Sequence, residues 1–305
     1  MNTHPYLRTL NPVLSAAERG DYAVGSFSPR TTAMILPVLR AGQASRSPLI
    51  VQISQKELTR YEVTPQQFAN EFFACLESED ISVPVVLHLD HTKVMEVIHQ
   101  AIAAGFRSVM IDASDQLLED NIAITRKVVE YAHARGVSVE AELGRIGTAD
   151  FIETDKDEEL YTRPEEAQRF VQETGVDALA VSVGTAHGVY TVRLPKIDLD
   201  RLRAIRKLTS VHMVLHGGSG VPAEMMQAAI RLEGGGVSKV NIATDLELSA
   251  LEALDRDSFL TDAHMSALPA DQIAKARAAV EKMVTEKITT FLHSDGKASL
   301  FEEIK

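Results

Sequence analysis

The sequence predicts a (β/α)8 TIM barrel, an α/β fold, with a helical extension at its carboxyl end. Three observations carry that expectation. Short β-rich apolar runs recur eight times, each is followed by a stretch of helical periodicity, and the runs are nearly continuous in apolar residues rather than alternating. Leu87, Val109, Val139, Val181 and Val214 lie in such runs, as parallel strands covered on both faces require. Eight consecutive units of this kind close into a barrel more simply than they extend an open sheet.

In chain order the strands are read at residues 23–28, 48–54, 84–90, 108–114, 138–144, 178–184, 212–218 and 237–244. Between them, residues 64–77 begin with Thr64 as a helix cap and Pro65 in the first turn, and residues 121–134 form an amphipathic helix that Gly136 stops. A further helix is expected from Leu246 onward. From about residue 266 to 305 the chain reads as a helical tail, with apolar residues at three- and four-residue spacing over 270–291, packed outside the barrel. The whole of 1–305 is thus expected to be one barrel domain. The acidic stretch 153–159, beyond the fifth strand, reads as a solvated loop or as the edge of a lid.

Composition narrows the function classes. With 45% hydrophobic and 24% charged residues over 305 positions, the chain has enough apolar material for a full core. Its 31 basic and 43 acidic residues leave a net charge of −12, which opposes nucleic-acid or anionic-membrane binding through bulk charge. An anionic ligand must therefore be held by a local site. The single cysteine, Cys75, excludes an internal disulfide framework and any cysteine-rich zinc module. The opening residues Met1 to Tyr6 lack a signal pattern, and no apolar run approaches the roughly 20 residues that span a bilayer. A cytoplasmic location is expected.

In a parallel barrel the working residues sit where strands end. There this sequence places His88-Leu89-Asp90-His91, then Asp112 and Ser114, Glu140 and Glu142, Gly184 to Gly188, His216 to Gly220, and Asn241 to Asp245. A lone histidine is more often a hydrogen-bonded or surface residue than a ligand, and His4, His99, His133 and His264 are read that way. His91, His187 and His216 differ, because they fall at equivalent strand ends and two of them adjoin glycines that let an ion approach the backbone. Three neutral imidazoles around an open position make a catalytic zinc arrangement without any cysteine. Strand alternation turns His88 and Asp90 one way and His91 the other, unless the strand end turns over the mouth. In that case Asp90 meets the substrate and His88 is structural; the competing reading makes Asp90 the cap of the following helix. The turns Gly217-Gly218-Ser219-Gly220 and Asn241 to Thr244 present backbone N–H groups near a helix start, a phosphate site that needs no net positive charge.

These motifs resemble the class II ketose-bisphosphate aldolases, closest in pattern to the tagatose-bisphosphate type, from about Leu14 to the segment around Asn241. The most specific pieces are His88-Leu89-Asp90-His91, Met110-Ile111-Asp112-Ala113-Ser114, Glu140-Ala141-Glu142-Leu143-Gly144, Gly184-Thr185-Ala186-His187-Gly188 and Lys239-Val240-Asn241-Ile242-Ala243-Thr244. The resemblance implies zinc on His91, His187 and His216, with Asp90 as the acid/base at the C4 oxygen. It also implies substrate contacts at Ser54, Gly188, Gly217, Gly218, Ser219, Asn241, Ile242, Ala243 and Thr244. Asp112 and Glu142 match residues that hold a second metal in the fructose-bisphosphate branch. Co2+ or Mn2+ can substitute for Zn2+ on such ligands, and a monovalent cation is a further expected cofactor. The implied reaction is reversible cleavage of a phosphorylated ketose, tagatose- or fructose-bisphosphate-like, to dihydroxyacetone phosphate and an aldehyde through a metal-stabilised enediolate. No lysine Schiff base is required. The implied assembly is a homodimer or homotetramer.

The sequence departs from the family pattern mainly at the substrate end. Thr191 stands where fructose-type members have Lys, and Asp150, in Gly147-Thr148-Ala149-Asp150-Phe151, stands where the loop Glu would be. Asp150 is accordingly a candidate for proton exchange at C3. Ser26-Phe27-Ser28 replaces the early Ala-Phe-Asn, and Gly234-Gly235-Gly236 adds length before the eighth strand. The alternatives are a sugar-phosphate epimerase on the same metal scaffold, or a non-catalytic sugar-phosphate-binding subunit. Retention of Asp90 beside all three histidines argues against the latter.

Overall fold

The computed structural model describes residues 4–146, 160–188, 190 and 194–301. Asp150, Thr191 and the acidic stretch 153–159 lie outside the described residues.

Eight parallel strands close in sequence order, β1 (Val24–Phe27), β2 (Leu49–Ser54), β3 (Val85–Thr92), β4 (Ser108–Ile111), β5 (Ser138–Leu143), β6 (Ala178–Val181), β7 (His212–Leu215) and β8 (Val237–Ile242), with β8 pairing back onto β1. The (β/α)8 barrel is as the sequence predicts. Strands β4, β6, β7 and β8 stop two or three residues short of the apolar runs, because the mouth residues leave the sheet to build loops; β1 and β5 stop one residue short, β2 ends at Ser54 as expected, and β3 continues past Asp90 to Thr92.

The helices are α1 (Leu10–Arg19), α2 (Ile35–Ala44), α3 (Gln55–Arg60), α4 (Pro65–Ser78), α5 (Met95–Ala104), α6 (Leu118–His133), α7 (Pro164–Thr174), α8 (Leu199–Leu208), α9 (Ala223–Ile230), α10 (Thr244–Ala253), α11 (Asp262–Ser266) and α12 (Ala270–Glu286). Thr64 caps α4 as its sequence requires: its hydroxyl accepts from Gln67 N at 3.2 Å, and Gln67 Oε1 accepts from Thr64 N at 2.9 Å. Helix α6 begins at Leu118 rather than at 121. Asn121, inside it, is buried and donates to the Glu142 carbonyl at 3.0 Å. Helix α10 begins at Thr244, two residues before the expected start.

Helix α12 packs outside the barrel on α2 and α10, and passes into a π-helical segment over Lys287–Leu292. The tail then turns under the barrel, where Phe301 joins Leu10, Val13, Leu14, Ala16 and Ala17 of α1 in one apolar cluster. That cluster includes the inward-facing Val24, Ile50, Val86, Met110, Ala178, Ala180 and Val214. Helix α1 therefore plugs the amino-terminal end of the barrel. Two residues further along the strands the inward side chains become polar, with Ser26, Gln52, His88, Glu140 and Lys239, all almost fully buried. One further step brings Asp90, Glu142, His216 and Asn241 to the mouth. The interior thus grades from dry to polar in the direction of the strands' carboxyl ends, which sets the position of the site. No helix among the described residues is long and apolar enough to cross a membrane.

Candidate active site

A cleft of about 750 Å3 opens at the carboxyl ends of the strands, with Ser54, Asp90, His91, Asp112, Glu142, His187, Gly188, Gly217, Ser219, Asn241, Ala243 and Thr244 on its wall. Asp90 and His91 both face it, which strict alternation forbids. A register shift between Leu89 and Thr92 resolves this: the β3–β4 pairing bulges there, and His91 takes φ 35°. Bulges re-aim side chains in this way, and the left-handed φ of a non-glycine residue is strain held by its surroundings. Asp90 thus lies within the strand, and α5 starts only at Met95, which removes the helix-cap reading.

The three imidazoles converge. His91 Nε2 lies 3.2 Å from His187 Nε2, and the ring of His216 lies 4.4 Å from that of His91. One nitrogen from each of the three falls within 4.8 Å of the others. His91 Nδ1 pairs with Asp112 Oδ2 at 2.9 Å, leaving Nε2 turned to the cluster. His216 Nε2 pairs with Glu140 Oε1 at 2.9 Å, leaving its buried Nδ1 without a hydrogen-bond partner. Carboxylates that hold the far nitrogen of a histidine fix which nitrogen is free to ligate. Burial pushes the His187 pKa down to about 3, helped by His91 and His216, so this imidazole is neutral and offers one ring lone pair. Burial also opposes charge on His91, but Asp90, Asp112 and Glu142 outweigh it and raise that pKa to about 10. The surroundings therefore favour a cation among these rings, and the residues fit a divalent metal ion. Asp112 and Glu142 stand with His91 in a second group of the same reach. Ser114 Oγ lies 2.7 Å from Asp112 Oδ1 and 3.1 Å from Glu142 Oε1.

Asp90 is held by two amides. Gln52 Nε2 donates to Oδ2 at 3.1 Å and Asn241 Nδ2 to Oδ1 at 3.1 Å. Burial raises its pKa, yet His91, His88 and Lys239 together hold it well below the usual carboxylate range, so Asp90 is ionised. His88 is buried, with Nδ1 2.7 Å from Ser108 Oγ, in keeping with a structural role.

On the facing wall, Gly217 sits at φ 68°, where an added Cβ would run into the Ala186 backbone. Only glycine fits this turn. Ser219 Oγ accepts from Asp245 N at 3.3 Å in the first turn of α10, whose own cap residue, Ala243, supplies no side-chain acceptor, and this amino terminus opens beside Ala243 and Thr244 on the cleft. Free N–H groups at a helix start suit an anion. Gly218 and Ile242 stand behind this wall: Gly218 N donates to the Asn241 carbonyl at 3.0 Å, and Ile242 is in the core. Ser54 caps α3, its hydroxyl accepting from Glu57 N at 3.1 Å.

Sequence reasoning passed over Gln52, Arg30, Glu57, Glu247 and Lys239. Arg30 bridges Glu57 and Glu247 at the cleft rim, and Tyr61 donates to Glu247. Lys239 is fully buried against Glu140 at 2.9 Å. Despite burial, Lys239 and His216 hold the Glu140 pKa down to about 2. A lysine in the middle of an apolar strand, two residues from Asn241, was the available signal.

Fold and cleft together define a barrel enzyme with a histidine–carboxylate cluster at its catalytic face. Comparison with known proteins gives the family. Residues 8–297 match the family model of class II fructose-bisphosphate aldolase. The chain is 39% identical to the fructose-bisphosphate aldolase of Geobacillus stearothermophilus over 293 residues, covering 96% of this chain and 99% of that one. It is 36% identical to that of Staphylococcus aureus over 285 residues, covering 93% and 97%. The crystal structure of the YdjI aldolase from Escherichia coli K12 superposes with a TM-score of 0.78 at 30% identity, covering 96% and 99%. The chain belongs to the class II fructose-bisphosphate aldolase family and is a carbon–carbon lyase.

Proposed function

We propose that the chain reversibly cleaves a phosphorylated ketose, tagatose- or fructose-bisphosphate-like, to dihydroxyacetone phosphate and an aldehyde. The observation that carries this reading is the placement of ionised Asp90 beside three convergent imidazoles, in a cleft whose other wall is the start of α10 and a glycine turn. His91, His187 and His216 would hold a zinc ion, for which cobalt or manganese could substitute; when bound it would supply positive charge to polarise a ketone oxygen. Asp90, with its oxygens oriented by Gln52 and Asn241, takes the C4 hydroxyl proton during cleavage and returns it during condensation. Gly188, Gly217, Ser219 and the start of α10 hold the phosphate through N–H and hydroxyl donors. Asp150 moves the C3 proton. Asp112 orients His91, and together with Glu142 it provides oxygens for a second metal. A cytoplasmic location accords with the lone buried Cys75, and the proposed assembly is a homodimer or homotetramer.

The test is a coupled triose-phosphate assay on a panel of ketose mono- and bisphosphates, with and without chelator. Turnover that chelator abolishes and zinc restores is expected. Turnover unaffected by exhaustive chelation, or epimerised ketose without triose phosphate, would overturn the reading.

A further inference from the structure

We propose that Lys239 is a positioning residue shared by both halves of the site: through Glu140 it fixes the ring of His216, and through Asn241 it fixes the amide that holds Asp90. This rests on the functional reading above. Lys239 lies on β8 with its side chain inside the barrel, fully buried, below the mouth residues. Its ammonium has three acceptors in reach, Glu140 Oε2 at 2.9 Å, Glu140 Oε1 at 3.2 Å and Asn241 Oδ1 at 2.7 Å.

An ammonium only donates, so it accepts nothing from a neighbouring amide. The Asn241 side chain must therefore turn its oxygen to Lys239, which turns Nδ2 to Asp90, 3.1 Å from Oδ1 and 3.3 Å from Oδ2. An asparagine amide flipped by half a turn has nearly the same shape. The carboxylate of Asp90 favours the same orientation from the other side, and the lysine doubles that selection against the flipped amide, which would set an oxygen against the ionised Asp90.

The second arm works by the same logic. Glu140 Oε1, already held by Lys239, receives His216 Nε2 at 2.9 Å. This leaves Nδ1 as the free nitrogen of a fully buried ring, aimed where it meets His91 and Glu142. A compact point charge suits acceptors on two different strands, whereas the flat fork of an arginine does not. The arrangement also explains why a lysine so close to the reacting centre forms no Schiff base. That chemistry needs a free amine lone pair at a substrate carbonyl, and this nitrogen is tethered to both partners and fully buried away from the cleft wall.

The test compares the wild-type enzyme with Lys239→Met and with the charge-balanced double variant Lys239→Met/Glu140→Gln. The second is included because the single substitution strands a buried carboxylate and can fail to fold. Folding is followed by circular dichroism, metal binding by cobalt titration with the visible d–d spectrum, and catalysis as kcat and KM per metal-loaded site. In whichever variant folds, cobalt affinity is expected to fall about 10- to 100-fold, the usual cost of losing a partner behind a ligand, with a changed spectrum. The kcat should fall on the order of 10- to 100-fold while KM moves less than about threefold, as befits a group that orients the proton acceptor without touching substrate. A purely structural lysine would lower the melting temperature and leave the spectrum and kcat alone. A folded double variant with wild-type cobalt affinity, spectrum and kcat overturns the proposal. Absence of turnover in the wild type would overturn the aldolase reading, and the cobalt titration would then decide the role of Lys239.

Discussion

Replacing Asp90 by alanine isolates the proton step. Its carboxylate accepts from Gln52 and Asn241, so the substitution leaves two amide N–H groups without their acceptor. A buried donor left unpaired costs about 1–3 kcal/mol, but Asp90 lines the open cleft and water can fill the vacated space. The expected loss of stability therefore sits near the lower end, a melting shift of a few degrees. The imidazoles and the glycine turn keep their own contacts, so zinc content and affinity for a triose phosphate should stay close to wild type. The rate should not. A positioned acid/base group contributes about 10²–10⁴-fold, equal to roughly 2.7–5.4 kcal/mol on the barrier. Single-turnover cleavage of a saturating ketose bisphosphate, read through a triose-phosphate couple, measures this directly. Zinc and ligand lost in step with activity would mean that Asp90 holds the site together, and an unchanged cleavage rate would give the proton to another residue.

Three further outcomes are expected. His187→Ala removes one of three convergent nitrogens and should abolish activity together with one bound zinc per chain by elemental analysis; a fully active, metal-free variant would disprove the histidine site. Asp150→Ala should slow solvent-deuterium exchange into dihydroxyacetone phosphate on the order of 10²-fold or more with ligand affinity nearly intact, and an unchanged exchange rate assigns the C3 proton elsewhere. Burial, with Glu71 nearby, pushes the Cys75 thiol up to about 12, so at pH 8 only about one thiol in ten thousand is ionised; disulfide reagents should label the native protein slowly, with a rate that still climbs at pH 10, and a plateau near pH 8.5 would contradict this.

The barrel was legible because each strand is a separate apolar run, which local pattern alone reveals. Helix α1 was not read, since Thr9 before it makes no side-chain cap and its apolar face acquires meaning only once a barrel floor exists to cover. Asp90 and the three histidines stood out by chemistry at strand ends, yet the bulge that turns His91 beside Asp90 is a backbone event in a run that reads as regular. Gly218 and Ile242 do not line the cleft: the N–H of Gly218 is taken by the Asn241 carbonyl and the side chain of Ile242 is in the core, pairings with a neighbouring strand that local pattern does not reveal. Gln52 and Lys239 went unread for a related reason. Each matters through side chains on strands distant in sequence, Asp90 for the one and Glu140 for the other, and that adjacency arises only when the sheet closes.

Among the described residues, the plug formed by α1 and Phe301 closes the barrel at its floor and leaves the cleft at its mouth. Substrate, products and any ion must pass the same threshold, so traffic through it is sequential. Whatever occupies the mouth guards what lies beneath: a bound sugar phosphate shelters the deeper ligands from chelators and from bulk water for as long as it stays. The seal at the bottom, far from any reacting atom, thereby sends all exchange to the top.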